Sequence, residues 1–309
     1  MTQTDVVTGA FGYSGAAIAR ELRAAGHQVR TLTGHPSRAP AGSDIEVHPL
    51  DFADQEALAR SLTGAHTLYC TYWVRFPHGS STRQAAVDNT RALFDAAALA
   101  GIARIVYVSI LHADPASRYP YFAGKGQLER YLAALGVPYA VARPAILFGD
   151  TPDRGAQASV LLNNIAWLLR RLPVFAIADG GRYRVRPVHV DDLARLCVRL
   201  AGSTDNVTVD AVGPEPIAFR DLVMLIRSAT GSRAALVPVP GWALPPLSAA
   251  LGVLLHDVLL TPEEYYAMRD GLADSAGPAV GPESLTGWIA RHGQDLGRSY
   301  ANELDRHYR

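Results

Sequence analysis

The chain has 309 residues, 29 Lys and Arg against 29 Asp and Glu, and 49% hydrophobic residues, enough for one large or two unequal globular domains. Zero net charge argues against nucleic acid as a partner. The two cysteines, Cys70 and Cys197, lie in apolar surroundings, exclude a disulfide framework and suit a reducing, cytoplasmic setting.

No basic-then-apolar leader precedes the first apolar run, so no secretion signal is expected. The most apolar stretch, 243–255, contains Pro245-Pro246 and falls short of the ~20 apolar residues of a spanning helix, so no transmembrane segment is expected. No metal site is expected either.

The first element is an apolar run, Val6-Val7, that leads into Thr8-Gly9-Ala10-Phe11-Gly12-Tyr13-Ser14-Gly15. The run Ala16 to Leu22 that follows has helical spacing. The glycines at 9, 12 and 15 form one variant of the dinucleotide-binding turn. Glycine permits the tight turn, the close approach of a pyrophosphate and the packing of helix on strand. The helix N-terminus then offers N–H groups and the positive dipole end to the phosphates.

Strand and helix signals alternate from there. Strands are expected at 28–33, 45–48, 67–71, 105–108 and 138–142. Helices are expected at 54–62, with Asp54 as N-cap, at 82–100, with Ala86, Leu93, Ala97 and Ala100 on one stripe, and at 126–135. This alternation predicts an α/β, doubly wound parallel sheet of Rossmann type with both faces covered. Beyond Gly149 the rhythm breaks. An apolar helix at 160–172 is interrupted by Asn163-Asn164 and ends at Arg170-Arg171. A helix at 193–200, for which Asp192 is read as the N-cap, and a strand at 206–211 that rejoins the main sheet are expected next. Helices follow at 219–230 and from Thr261, where a cap, a first-turn proline and Glu264 make a capping box. The expected organisation is a dinucleotide-binding domain at 1–150, with 182–212 returning to it. Residues 151–181 and 213–309 form a smaller, mostly helical substrate-binding region.

Several residues carry candidate chemistry. The second strand ends in Thr33-Gly34-His35, without the acidic residue that binds a ribose 2′-hydroxyl in NAD enzymes. Thr33, His35 and Arg38 suit a 2′-phosphate, which favours NADP, with NAD as the alternative; a solvated loop charge is the competing role for Arg38. Asp51 is spaced to accept from an adenine amino group with Phe52 against the ring, or else to bond its own backbone in a turn. Tyr121 and Lys125 stand four residues apart, on one face of a helix. Lys125 is the only lysine in the chain. A nearby cation favours the phenolate and makes tyrosine a proton donor or acceptor near neutrality. Ser109, just past the fifth strand, is placed to hydrogen-bond a substrate carbonyl. Tyr72, Trp73 and Phe76 follow the fourth strand and are candidates for an apolar substrate pocket, with Arg75 for an anion, or for domain packing. Trp167 continues the apolar theme. His189 and Asp192 fall at the domain junction, and 244–260 suits a lid, a dimer contact or a membrane surface.

Together these stretches, with Val106-Tyr107-Val108-Ser109, Ala142-Arg143-Pro144, Val188 to Leu193 and Val212-Gly213-Pro214-Glu215, resemble the short-chain dehydrogenase/reductase superfamily in its extended or atypical branch. The resemblance covers nearly the whole chain. It implies that Gly9, Gly12 and Gly15 bind pyrophosphate, with Phe11 and Tyr13 lining the loop, and that Thr71 lies near the cofactor ribose. It implies Tyr121 as acid/base, Lys125 as its partner and a ribose contact, and Ser109 as a substrate contact. Pro144 to Leu147, including Ile146, would pass the nicotinamide. A homodimer would pair the helices at 82–100 and 126–135. Departures are Gly34 where the branch often has arginine, Ile110-Leu111 instead of a second hydroxyl beside Ser109, and Gly126 after the lysine. Tyr119 is a rival for Tyr121. The function expected is an NAD(P)-dependent oxidoreductase acting on a carbonyl or alcohol of a small, partly apolar substrate. The alternative is a non-catalytic NAD(P)-binding protein acting as a redox sensor or an assembly or accessory subunit.

Overall fold

The computed structural model describes residues 3–79, 81–150 and 159–308. In chain order it runs β1 (Thr4–Thr8), α1 (Tyr13–Ala24), β2 (Gln28–Thr33), β3 (Glu46–Pro49), α2 (Gln55–Leu62), β4 (Thr67–Cys70), α3 (Arg83–Leu99), β5 (Arg104–Val108), α4 (Pro120–Ala134) and β6 (Tyr139–Pro144). Then come β7 (Leu147–Phe148), α5 (Val160–Arg171), β8 (Val174–Ala178), β9 (Arg184–Val185), β10 (Val188–His189), α6 (Val190–Ala201) and β11 (Val207–Ala211). The chain closes with β12 (Ile217–Ala218), α7 (Phe219–Ala229), β13 (Ala235–Val239), α8 (Leu244–Leu255), α9 (Pro262–Arg269), α10 (Leu285–His292) and α11 (Glu303–Tyr308). Two compact units result: Met1–Pro144 with Val190–Ala211, and Ala145–His189 with Val212–Arg309. Residues 151–158, where the sequence reading starts its second region, lie outside the described residues.

The first unit is a seven-stranded parallel sheet in the order β11-β6-β5-β4-β1-β2-β3. β1 pairs with β2 on one side and β4 on the other, so the chain reverses its winding between β1 and β4. Ligands of open α/β sheets bind in the crevice beyond the carboxyl ends of strands at such a switch point. Strands buried on both faces need apolar residues at every position rather than alternation, and Val6 and Val7, like Ile105 and Val106, are all fully buried. One core joins Val6, Leu32, Leu68, Ile105, Tyr107 and Val141 of the sheet to Leu58, Leu93, Phe94, Leu128 and Leu132 of α2, α3 and α4; α1 packs on α6. β11 joins the sheet beside β6, as its sequence suggests.

Two expectations need correction. α4 begins at Pro120, six residues before the expected Gly126. Proline at the first helical position is pre-organised for the helix, and the two glycines inside are kept for close approach. A β-carbon on Gly124 would lie 3.1 Å from both Trp73 and Val87, and one on Gly126 2.6 Å from the Asp114 nitrogen. Asp192 is not an N-cap: α6 already begins at Val190, and the buried Asp192 carboxylate accepts from Arg195 one turn on, at 2.5 Å. The cap at Asp54 is present, as is the full capping box of Thr261 and Glu264, and Thr82, expected inside its helix, is the N-cap of α3.

The second unit has its own core, built from Phe148, Leu162, Ile165, Leu222, Ile226, Trp288 and Ile289 among others. Alongside its helices it holds three two-stranded pairings, β10 with β7, β13 with β8 and β12 with β9. The polar residues that interrupt α5 hold the chain near its end. Asn163 donates to Ser299 O and accepts from Gly297 N, Asn164 donates to and accepts from Ala301, and Arg170 donates to Leu296 O and Gln294 O. Among the described residues no helix is long and apolar enough to cross a membrane.

Candidate functional site

β1 ends at Thr8 and the chain turns at Gly9, whose φ of 64° is a left-handed conformation open to glycine. Gly12 N donates to Gly9 O at 2.8 Å and closes the turn. A β-carbon on Gly15 would be driven into the Gly9 carbonyl, 2.8 Å from its carbon. The loop is anchored from β2: Gly9 N donates to Leu32 O, and Ala10 N to the Thr31 hydroxyl, which itself donates to Val7 O. Gly12 is the N-cap of α1, so no side chain caps the helix, and its first turn carries no acidic residue. This is a cradle that a β-carbon would fill, at a helix N-terminus left to an anion, and it fits a pyrophosphate. Phe11 and Tyr13 are half-buried in the same loop. Across the switch point the Thr71 hydroxyl donates to Thr8 O at 2.6 Å, and Thr71 N donates to the Thr8 hydroxyl at 2.8 Å. The end of β4 is thereby fixed beside the glycine turn.

At the end of β2, the Thr33 hydroxyl is buried and accepts from His35 N at 3.0 Å. That bond shapes the turn carrying exposed His35 and half-buried Arg38. Asp51 Oδ1 accepts from Ala53 N at 2.9 Å, the backbone role weighed for it. Phe52 packs on Tyr72, ring centroids 4.9 Å apart. The Tyr72 hydroxyl accepts from Asn89 at 3.0 Å.

Several candidate groups gather at the carboxyl edge of β5. Tyr107 and Ser109 point to one face of the strand, the face that α3 and α4 cover. Ser109 N donates to Ala142 O. The Ser109 hydroxyl is buried and, among the described residues, has no hydrogen-bond partner; the same holds for the Tyr107 hydroxyl and the Trp73 indole N–H. Such orphans are rare in native interiors. Lys125, 2% exposed, donates from Nζ to Val108 O at 2.9 Å. Its Nζ stands 4.4 Å from the Trp73 ring centroid and 4.7 Å from that of Tyr107. Burial penalises the ammonium and lowers its pKa to about 7, partly offset by Cys70 and Glu129.

One turn earlier on α4, Tyr121 is half-buried, its ring 5.3 Å from Trp73. Arg83, on the first turn of α3, lies with its guanidinium carbon 5.3 Å from the Tyr121 ring centroid. Sequence reading passed over Arg83. The available signal was a basic residue directly after the Thr82 cap, where helices favour acidic ones. Tyr119 is the N-cap of α4, its hydroxyl bonded by Arg118 at 3.1 Å.

Phe76 is fully buried beside the Arg75 guanidinium. Pro144 ends β6 and accepts from Leu111 N. Ile146 and Trp167 belong to the second unit. Ile146 packs on its core, and Trp167 is held by Tyr300, 5.1 Å away, and by Arg171 over its ring. His189, also of that unit, is buried against Phe148.

A family model described as NAD(P)H-binding matches residues 9–164. The chain belongs to the NAD(P)H-binding family. Among curated proteins of known name, a photosystem II assembly factor of Cyanophora paradoxa is 24% identical over 239 residues, 76% of this chain and 71% of that protein. Among solved structures, the triphenylmethane reductase of Citrobacter sp., complexed with NADP(H), superposes with a TM-score of 0.75 at 20% identity, over 93% of this chain and 99% of that one. A nucleoside-diphosphate-sugar epimerase of Staphylococcus aureus does so with a TM-score of 0.68 at 18% identity, over 98% of both. This member of the NAD(P)H-binding family thus shares its fold with that reductase and that epimerase.

Proposed function

We propose that this chain is an NAD(P)-dependent oxidoreductase that interconverts a carbonyl and an alcohol on a small, partly apolar substrate. The observation that carries the reading is the Ser109 hydroxyl, buried without a partner at the carboxyl edge of β5, where doubly wound folds place their chemistry. A substrate oxygen would complete its hydrogen bonding.

A bound nicotinamide supplies or accepts the hydride. The chain's residues do the rest. Gly9, Gly12 and Gly15 receive the pyrophosphate, flanked by Phe11 and Tyr13, with Thr71 beside the ribose and Pro144 along the nicotinamide. Asp51 and Phe52 flank the adenine. Thr33 shapes the turn that brings His35 and Arg38 to a 2′-phosphate, which favours NADP over NAD. Tyr121 holds the proton at Oη and exchanges it with the substrate oxygen, which Ser109 orients by a hydrogen bond. Lys125, with a pKa near neutrality, shifts readily between ammonium and amine beside them. Tyr72, Trp73 and Phe76 supply apolar surface to the substrate, and a homodimer through α3 and α4 is part of the same reading.

The test is turnover by Tyr121→Phe and Ser109→Ala with the preferred nucleotide. Both should retain nucleotide binding and lose activity, Tyr121→Phe by about 10²-fold or more. Activity equal to wild type in Tyr121→Phe refutes the assignment.

One observation favours a second reading, a nucleotide-binding protein without turnover. Lys125 Nζ is already engaged by Val108 O and two aromatic faces. A biological role that survives Tyr121→Phe but is lost with nucleotide binding would select it.

A further inference from the structure

The helix spacing of Tyr121 and Lys125 makes the lysine the obvious source of positive charge for the tyrosine. The geometry around Tyr121 brings in a second cation. Arg83 spans two elements: its Nη1 donates to the Arg75 carbonyl at 3.0 Å, in the segment that follows β4, and its guanidinium lies over the Tyr121 ring. The Tyr121 ring is flanked on other sides by Trp73 and Phe122, so the planar guanidinium faces an apolar, half-buried phenol rather than open solvent.

The position of Arg83 is electrostatically unfavourable for its own helix. It is the first residue of α3, after the Thr82 cap, in a first turn without acidic residues. There the aligned peptide dipoles repel a cation. Tyr121 occupies the corresponding end of α4, whose first turn also lacks acidic residues and has no side-chain cap. The positive ends of two helices and one guanidinium therefore act on the same phenol.

The two cations differ in permanence. A guanidinium stays charged at any pH the protein survives. The buried Lys125 amine gives up its proton near neutrality, so its charge fades over the range in which a catalytic tyrosine works. Tyr121 itself acts on Tyr107 of β5, whose own pKa burial pushes well above the usual value, and Glu129 acts on both Tyr107 and Lys125.

We propose that Arg83 is a positioning residue for Tyr121. It holds the ring by lying over its face, ties it to the segment after β4 through the Arg75 carbonyl, and provides the lasting positive charge that favours the phenolate. The inference rests on the reading of Tyr121 as the proton-transfer group, but its test does not require turnover.

The experiment is an NMR titration of the full-length, nucleotide-free protein with ζ-¹³C-tyrosine, the Tyr121 signal being assigned by its loss in Tyr121→Phe. Arg83→Gln keeps a donor for the Arg75 carbonyl and removes the charge; Arg83→Lys keeps the charge and removes the planar stack. The inference expects the Tyr121 midpoint to rise by about one pH unit in Arg83→Gln and to stay near wild type in Arg83→Lys. An unchanged midpoint in Arg83→Gln, with the fold intact by circular dichroism, overturns it. Should Arg83→Gln not fold, a Tyr121 midpoint in Arg83→Lys raised by as much as a unit overturns the charge argument on its own. If the midpoint moves as expected but Tyr121→Phe keeps full turnover, the oxidoreductase assignment of Tyr121 fails while the action of Arg83 on it stands.

Discussion

Replacing Lys125 by methionine isolates the energetics of the buried amine. Methionine keeps an unbranched stem against Trp73 and Tyr107 and carries no charge. Burial lowers the pKa of Lys125 from 10.5 to about 7, whereas in the unfolded chain the amine titrates near its reference value. Between those two pH values the unfolded state binds one proton that the folded state has released, so unfolding free energy rises with pH across the window. The slope is about 1.4 kcal/mol per pH unit, and over the whole window the difference reaches about 5 kcal/mol. The stabilising contribution is complete above pH 10.5 and lost as pH falls through 7. Urea unfolding of wild type and Lys125→Met at pH 6 to 9.5 measures it, the other titrating groups cancelling in the difference. Wild type should gain on the variant by about 2 kcal/mol between pH 7.5 and 9.5, and Lys125→Met should be the more stable protein at pH 6. Parallel pH profiles would show that the ammonium is not buried at the end of β5, and the reasoning about its depth would fall.

Gly15→Ala should abolish nucleotide binding and destabilise by roughly 1–3 kcal/mol, because its β-carbon meets the Gly9 backbone; Gly34→Ala, with nothing within 4 Å, should leave the fold unchanged. Chemical denaturation and nucleotide titration of the pair check both. Gly126→Ala should be less stable than wild type even though alanine favours helix by about 1 kcal/mol, since its β-carbon meets the Asp114–Pro115 backbone; a stabilised variant refutes that packing. Asn163→Leu removes the partners of Ser299 O and Gly297 N and should cost about 2 kcal/mol or more, with faster amide exchange at Gly297. Arg38→Ala should weaken NADPH more than NADH, and equal losses would remove Arg38 from 2′-phosphate recognition.

The parts of the fold legible in the sequence are those with local causes. The glycine turn is one, because Gly9 needs a positive φ and Gly15 a missing β-carbon. The all-apolar strands and the caps at Asp54 and Thr261 are others. The helix expected at 126–135 starts earlier, at Pro120, and the reason two glycines stand inside it lies in distant partners, Trp73, Val87 and Asp114. The four pairing residues of β9 and β12 are too few to form a pattern, and Pro238 inside β13 argues against a strand. Asn163, Asn164 and Arg170 looked like defects in an apolar helix until their acceptors at 294–301 were visible. At the site, the spacing put Tyr121 and Lys125 on one helix, but the depth of the lysine and the stacking of Arg83 depend on β5 and α3.

The central claim is that the turn at Gly9, Gly12 and Gly15 delivers a nicotinamide nucleotide to the groups at the end of β5. Calorimetric titration of the purified chain with NADPH and then NADH tests it most directly. The account predicts saturable binding, tighter for NADPH and lost in Gly15→Ala. A folded sample that binds neither nucleotide would contradict it.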